Sequence, residues 1–386
     1  MSKNLNYNTD IIKHYVRYHG WLKPFKTIVN HIDGLIKRGQ RADKCKYLTF
    51  CAVQAIDVFM FEQLKYLYRN ENSKRLENVY YCENDEQSFS IIQRLIGSSD
   101  QGFFGDFKKI VLLKESDVIV NSADPFDEPE TAEEREKLRL LGVKKSLVAK
   151  FPFDVINLDL YGNFFPENEA KYSETFQTYQ QILQLQKLRN GHECRRFLMY
   201  LTVYTPITDH ARFIKKDVMS TFEGVLLQNL MHEEFSSALE ETYGHSNPKK
   251  LDVYIKFILG FTKQVLFKET YNLGWQPKII DILCYDRQHP ADKEKADGHK
   301  YKITTFIVEY TRNEELEKGN RLDGDIHSSV EKDYKEQLFS IVTNKPEEVP
   351  SEREIDQKVS QDLKKIVEFR NKFLEELGIF DKNLFA

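Results

Sequence analysis

The chain has 386 residues, 41% hydrophobic and 30% charged, enough to bury a sizeable core in one large or two medium domains and too apolar for a disordered or fibrous class. A net charge of -4 gives no bulk attraction to nucleic acid, although a local basic groove stays open. Cys45, Cys51, Cys82, Cys194 and Cys284 are scattered without a C-x-x-C pair, which fits reduced, buried thiols in a cytoplasmic protein and excludes a disulfide framework or zinc knuckle.

The N-terminus lacks an apolar signal segment, and no run approaches the ~20 apolar residues of a membrane span. From Thr9 to Arg38, Ile11, Tyr15, Val16, Leu22, Phe25, Ile28, Val29, Ile32 and Ile36 recur at helical spacing. Two amphipathic helices are expected there, broken near Gly20 and Pro24. Lys46 to Ala52 reads as a first buried strand and Val53 to Tyr68 as the helix after it. Asn78 to Glu83 gives a second strand ending in an acid. Asp85 is placed to cap a helix from Glu86 to Ile96, which Gly97 stops.

A third short strand is expected at Gly102 to Asp106. The charged segment from Ser116 to Lys145 reads as an exposed insertion with one helix, Thr131 to Leu141. In Phe153 to Gly162 the apolar residues Val155, Ile156 and Leu158 give a fourth strand that stops at Asp159 and Gly162. A helix from Glu167 to Leu188 follows, then Arg196 to Tyr204, nearly continuous in apolar residues as a central parallel strand would be. Helices are expected over Met219 to Tyr243 and Leu251 to Tyr271. Lys278 to Tyr285 and Lys302 to Thr311 read as an antiparallel hairpin around the polar loop Asp286 to Lys300. The tail should be a helix from Glu352 to Leu377 with a capping box at Ser351 and Glu354. Its stripe of Val359, Leu363, Ile366, Phe369, Phe373 and Leu377 can dock on its own domain or on a partner protein.

The alternation of strands and helices, closed by a hairpin, resembles the class I S-adenosylmethionine-dependent methyltransferase fold over roughly residues 40 to 312. Glu83, in Tyr80-Tyr-Cys-Glu-Asn-Asp85, stands where such enzymes keep the carboxylate that holds the cofactor ribose. Gly105-Asp106-Phe107 resembles the Gly-Asp whose acid meets the adenine amino group, and Asp159-Leu-Tyr-Gly162 resembles the Asp-Pro-Pro-Tyr motif that positions the group to be methylated. The resemblance implies an α/β, Rossmann-like, seven-stranded and mostly parallel sheet with helices on both faces, a closing antiparallel hairpin and extra N- and C-terminal helices. It divides the chain into helices at 1–40, a domain at 41–312 with an insertion at about 114–148, and a helical tail at 313–386. It further implies S-adenosyl-L-methionine as cofactor, held by Phe50, Cys51, Ala52, Glu83, Asp85, Asp106 and Phe107. Catalysis would fall to Asp159, Tyr161 and Gly162, without a metal, on a nucleic-acid base or a protein side chain.

Two departures stand against this pattern. The first loop of the fold is normally glycine-rich, whereas Thr49-Phe-Cys-Ala-Val-Gln-Ala-Ile-Asp57 has no glycine, and Leu160 replaces the motif's proline. A catalytically inactive scaffold subunit of the same fold is therefore an alternative. Asp159 can equally end a strand, Tyr161 can pack instead of stacking on a base, and Glu83 and Asp85 can be caps. Asp281 and Glu309 on the hairpin leave a metal-dependent nuclease as a further alternative. No H-E-x-x-H, P-loop or G-x-S-x-G motif is present.

Overall fold

The computed structural model describes residues 11–51, 55–97, 100–118, 131–159, 164–165, 173–187, 195–206, 216–229, 233–288, 300–313, 324–350, 354–355 and 357–376. The chain is an α/β protein whose contacts divide it into two units. The first takes Met1–Asn157, Leu185–Glu193 and Pro350–Ala386, and the second takes Leu158–Gln184 and Cys194–Val349.

In the first unit, α1 (Ile11–Val16), a π-turn (Arg17–Trp21) and α2 (Leu22–Lys37) follow one another without the breaks expected at Gly20 and Pro24. The wider π-turn carries the helical path through Gly20. Phe25, Ile28, Val29 and Ile32 form the buried face of α2, and Phe25 stacks on Phe61 with ring centroids 3.9 Å apart. Four strands follow: β1 (Tyr47–Thr49), β2 (Val79–Glu83), β3 (Gly102–Phe104) and β4 (Val155–Asp159), of which Val155–Asn157 belong to this unit. They lie in the order β3-β2-β1-β4. All three pairings are parallel, with Tyr47 opposite both Val79 and Val155, and Glu83 opposite Phe104. Parallel strands buried on both faces need continuous apolar runs, and Tyr47, Leu48, Val79, Tyr81, Val155 and Ile156 are all fully buried. From β1 the chain builds β2 and β3 to one side, then returns to lay β4 on the other. That places a topological switch point at the carboxyl ends of β1 and β4.

The helix stops act where the sequence puts them. Asp85 accepts the Ser88 N–H at 2.8 Å to cap α4 (Glu86–Ile96), and Gly97, at φ +83°, ends it in a left-handed turn that a side chain would strain. The expected third strand is shorter than Gly102 to Asp106. Gly105 turns at φ +136°, so Asp106 leaves the sheet and caps α5 (Phe107–Leu112) by accepting from the backbone N–H groups of Lys108 and Lys109. The insertion helix α6 (Ala132–Val148) runs beyond Leu141, started by a reciprocal capping box between Thr131 and Glu134. The hydrogen bond from Ser88 holds the exposed Asp85 carboxyl below its ordinary range. Stability from this cap is thus present above about pH 4 and is lost as pH falls through the lowered value. Asp85→Ala is expected to cost about 1 kcal/mol at neutral pH in urea unfolding. The difference from the parent chain should shrink below about pH 4, and a pH-independent difference would remove the cap as its cause.

The tail helix begins at Gln357 and ends at Glu376, later than expected because Glu354 and Ile355 form a turn; Ser351 of the expected capping box lies outside the described residues. Its apolar face docks within its own unit. Phe369 and Phe373 meet Phe59 of α3 (Ile56–Gln63) at 6.2 and 6.0 Å between centroids, and Asp362 accepts the Tyr18 hydroxyl at 2.7 Å.

The second unit is antiparallel at its centre. β5 (Arg196–Pro206) pairs with β7 (Lys300–Arg312) from Arg196 opposite Thr311 to Pro206 opposite Tyr301. Its apolar run, expected for a parallel strand, is here matched to an antiparallel partner. β7 also pairs antiparallel with β6 (Trp275–Gln288), as the hairpin reading expects, with a bulge between Ile279 and Asp281. Two-residue β8 (Glu347–Glu348) adds parallel to β6 at Leu283 and Cys284, so eight strands are described where seven are expected. A helix at Gly324–Thr343 was not foreseen, its apolar residues being diluted by charge. Gln337 on it accepts the Ile279 N–H and donates to the Pro277 carbonyl, occupying part of the β6 edge. Of the helix expected from Glu167 to Leu188, α7 (Glu174–Leu185) is described, and the helix expected from Met219 to Tyr243 is two, α8 (Lys216–Asn229) and α9 (Glu233–Tyr243). The next, from Leu251 to Tyr271, is α10 (Val253–Phe261) continued by a π-turn at Thr262–Glu269 and a last α-turn at Thr270–Asn272. Among the described residues no helix is long and apolar enough to cross a membrane.

Candidate functional site

Parallel strands in one register end together, and β1, β2 and β3 of the first unit bring Phe50, Glu83 and Asp106 to one edge. The Gly105 N–H donates to the Glu83 carbonyl at 2.9 Å, tying the end of β3 to that of β2. Glu83 Oε1 accepts from the backbone N–H groups of Asn84 and Asp85 at 2.7 and 2.9 Å, which fixes the carboxylate at the tip of β2. Its other oxygen takes no hydrogen bond among the described residues. Phe50, half-buried beyond β1, meets the ring of Phe107 edge-on at 4.6 Å, forming an apolar wall beside these acids. Asp106 and Asp85 are both engaged as helix caps.

Cys51, also at this edge, is a buried neutral thiol. Burial pushes its pKa well up, and the carboxylates of Asp57 and Glu83 add to that, while the charge of Arg17 opposes it. Such a thiol is a poor nucleophile. Ala52, Tyr161 and Gly162, also expected at the site, lie outside the described residues. Asp159 is half-buried as the last residue of β4.

Sequence reasoning missed a fully buried polar network at the switch point. Asp57 Oδ2 accepts the Tyr47 hydroxyl at 2.7 Å and the Thr49 hydroxyl at 2.8 Å, and Thr49 Oγ1 in turn accepts Asn157 Nδ2 at 3.2 Å. Asp57, Thr49 and Asn157 are wholly shielded from solvent, and Asp57 Oδ1 and Asn157 Oδ1 have no partner. The signal was present in the sequence. Every residue from Ile56 to Phe61 is buried, so the one acid in that run must find its hydrogen bonds inside. The β1–α3 connection enters the helix through Ala55 at φ +43°, a left-handed conformation that normally falls to glycine.

On the hairpin, Glu309 forms an ion pair with Arg196 and lies opposite Lys278, whereas Asp281 lies opposite Ile307 and accepts the Ile282 N–H. Among the described residues no three His, Cys, Asp or Glu side chains converge to hold a metal ion.

Residues 134–307 match the family model described as PP_RS20740-like, less than half of the chain. That stretch contains Asp159 and β6 and ends within β7, and it does not contain Phe50, Glu83 or Asp106. No curated protein and no solved structure matches the chain.

Proposed function

We propose that the chain is an S-adenosylmethionine-dependent methyltransferase acting on a nucleic-acid base or a protein side chain. Glu83 carries the reading. Its carboxylate is held at the carboxyl end of β2 by two backbone N–H groups, with Oε2 left to accept from a ribose diol. The Phe50–Phe107 pair offers an adenine ring an apolar wall at the same edge. The buried acceptors of the Asp57 network, one strand along, suit the polar remainder of such a cofactor. Bound there, S-adenosylmethionine supplies an electrophilic methyl group. The chain's own task is then alignment, which needs few acid–base groups.

The second reading, a binding or scaffold subunit of the same fold, is favoured by the connection through Ala55 in place of glycine and by the use of Asp85 and Asp106 as caps. Calorimetric titration with S-adenosylmethionine and S-adenosylhomocysteine separates the two. Saturable binding is expected, weakened about 10-fold or more by Glu83→Ala through loss of a charge-assisted hydrogen bond. Absence of heat up to about 1 mM ligand, where binding free energies are only about -4 kcal/mol, would overturn the enzyme reading.

A further inference from the structure

We propose that the outer face of α2, together with the turn that carries Lys65 and Tyr68, is a binding surface for single-stranded nucleic acid. Between Ile11 and Lys46 the chain has nine lysines and arginines against two aspartates, in a protein whose net charge is -4. At about 100° per residue, Lys23, Lys26, Asn30 and Lys37 fall within about 60° of one another on α2, opposite the buried Phe25, Ile28, Val29 and Ile32. All four are exposed, as is the neighbouring Arg38, and the stripe from Lys23 to Lys37 is about 21 Å long.

These cations are not held by the chain's own acids. The one acid on α2, Asp33, lies 3.6 Å from Lys44, and among the described residues no carboxylate pairs with Lys23, Lys26, Lys37 or Arg38. On α6 of the same unit the charges are arranged otherwise, with Lys137 on Glu133 and Arg139 on Glu136, both at 2.7 Å. Lys23 and Lys26, three residues apart, repel each other along the helix surface. A polyanion relieves that repulsion and gives up its condensed counterions on binding.

The turn supplies an aromatic platform. Phe25 of α2 stacks on Tyr66 with ring centroids 6.1 Å apart, which seats the turn against the start of α2. Arg69 is engaged with Glu62, whereas Lys65 is exposed and Tyr68, at 50%, is the most exposed of the large hydrophobic side chains among the described residues. A ring left in water can stack on an unpaired base, which a duplex does not offer. An anionic bilayer would instead call for apolar residues on the basic face, and the outer face of α2 has none. The inference rests on the methyltransferase reading only in making nucleic acid, and not a protein side chain, the acceptor.

The test is fluorescence anisotropy of the full chain, without cofactor, on labelled single strands of about 20 nucleotides and on the matching duplex. Single-strand binding is expected with a log–log salt slope of about -3, from four phosphate contacts at about -0.7 each. Lys23→Gln, Lys26→Gln, Lys37→Gln and Arg38→Gln combined should weaken it about 10-fold or more and remove most of that slope. Should the combined variant fail to melt cooperatively, Lys23→Gln with Lys26→Gln decides, by lowering the slope by about 1.4. Tyr68→Ala should weaken the single strand about 5-fold or more at unchanged slope, and Lys137→Gln should alter affinity less than about 2-fold. No binding to the unsubstituted chain, affinity unmoved by the α2 substitutions or by Tyr68→Ala, or tighter binding of the duplex would each overturn the inference. So would attachment to phosphatidylserine–phosphatidylcholine vesicles in place of oligonucleotide. None of these outcomes alters the titration with S-adenosylmethionine, on which the cofactor reading stands or falls separately.

Discussion

Replacing Asp57 by alanine is expected to lower the unfolding free energy by about 2–4 kcal/mol, a large effect for a residue that no motif singles out. Asp57 Oδ2 is the shared acceptor of Tyr47 and Thr49, both fully buried in β1. Without it two hydroxyls lose their partner where water does not reach, at about 1–3 kcal/mol each, partly offset by the relief of a buried charge. Asp57→Asn should cost less, since an amide oxygen can still accept. Urea unfolding of the two variants against the parent checks the order. An alanine variant as stable as the parent would mean that the hydroxyls re-pair locally and that the network does not secure the β1–α3 connection.

Trp275→Ala is expected to cost more, about 3–5 kcal/mol, and to act on the second unit. The indole is fully buried at the start of β6, stands edge-on to Phe197 of β5 at 4.9 Å, and donates from Nε1 to the Leu183 carbonyl at 2.9 Å. Phe197 in turn stacks on Tyr310 of β7 at 4.8 Å, so one ring cluster spans β5, β6 and β7. Truncation leaves a cavity among these rings and an unpaired carbonyl. Trp275→Phe, which keeps the ring contact and loses the hydrogen bond, should cost about 1–3 kcal/mol. Hydrogen exchange read on residues 196–206 and 275–288 should rise steeply in the alanine variant. Trp21, the other of the chain's two tryptophans and a member of the first unit, remains as a fluorescence reporter. Unchanged protection in β5 and β6 would show that the ring cluster does not govern the second unit's stability.

Interactions between near neighbours in the chain were legible without the fold. Asp85 and Gly97 bracket α4 because a side-chain cap and a left-handed glycine satisfy backbone groups within a few residues of themselves. Short continuous apolar runs located most strands, and the long polar loop between two of them marked the hairpin of β6 and β7. The acid at the end of β2 could be found because β2 itself could be found, and its place at a sheet edge follows from parallel pairing.

Partners distant in sequence could not be read in this way. Asp57 is a lone acid in an apolar run, and only the packing of α3 on β1, with β4 beside it, makes it the centre of a network reaching Asn157, 100 residues away in sequence. Asp106, read as a strand-end ligand, became a helix cap because Gly105 turned the chain one residue earlier. The direction of β5 relative to its partner also lay beyond sequence, since a continuous apolar strand suits parallel and antiparallel neighbours alike. Thus the sequence by itself determined the α/β alternation, most strand and helix positions and the acid at the end of β2, all short-range matters of periodicity and capping. Tertiary structure alone decided which buried polar atoms would meet, because burial brings together residues far apart in sequence and obliges each to find a partner there.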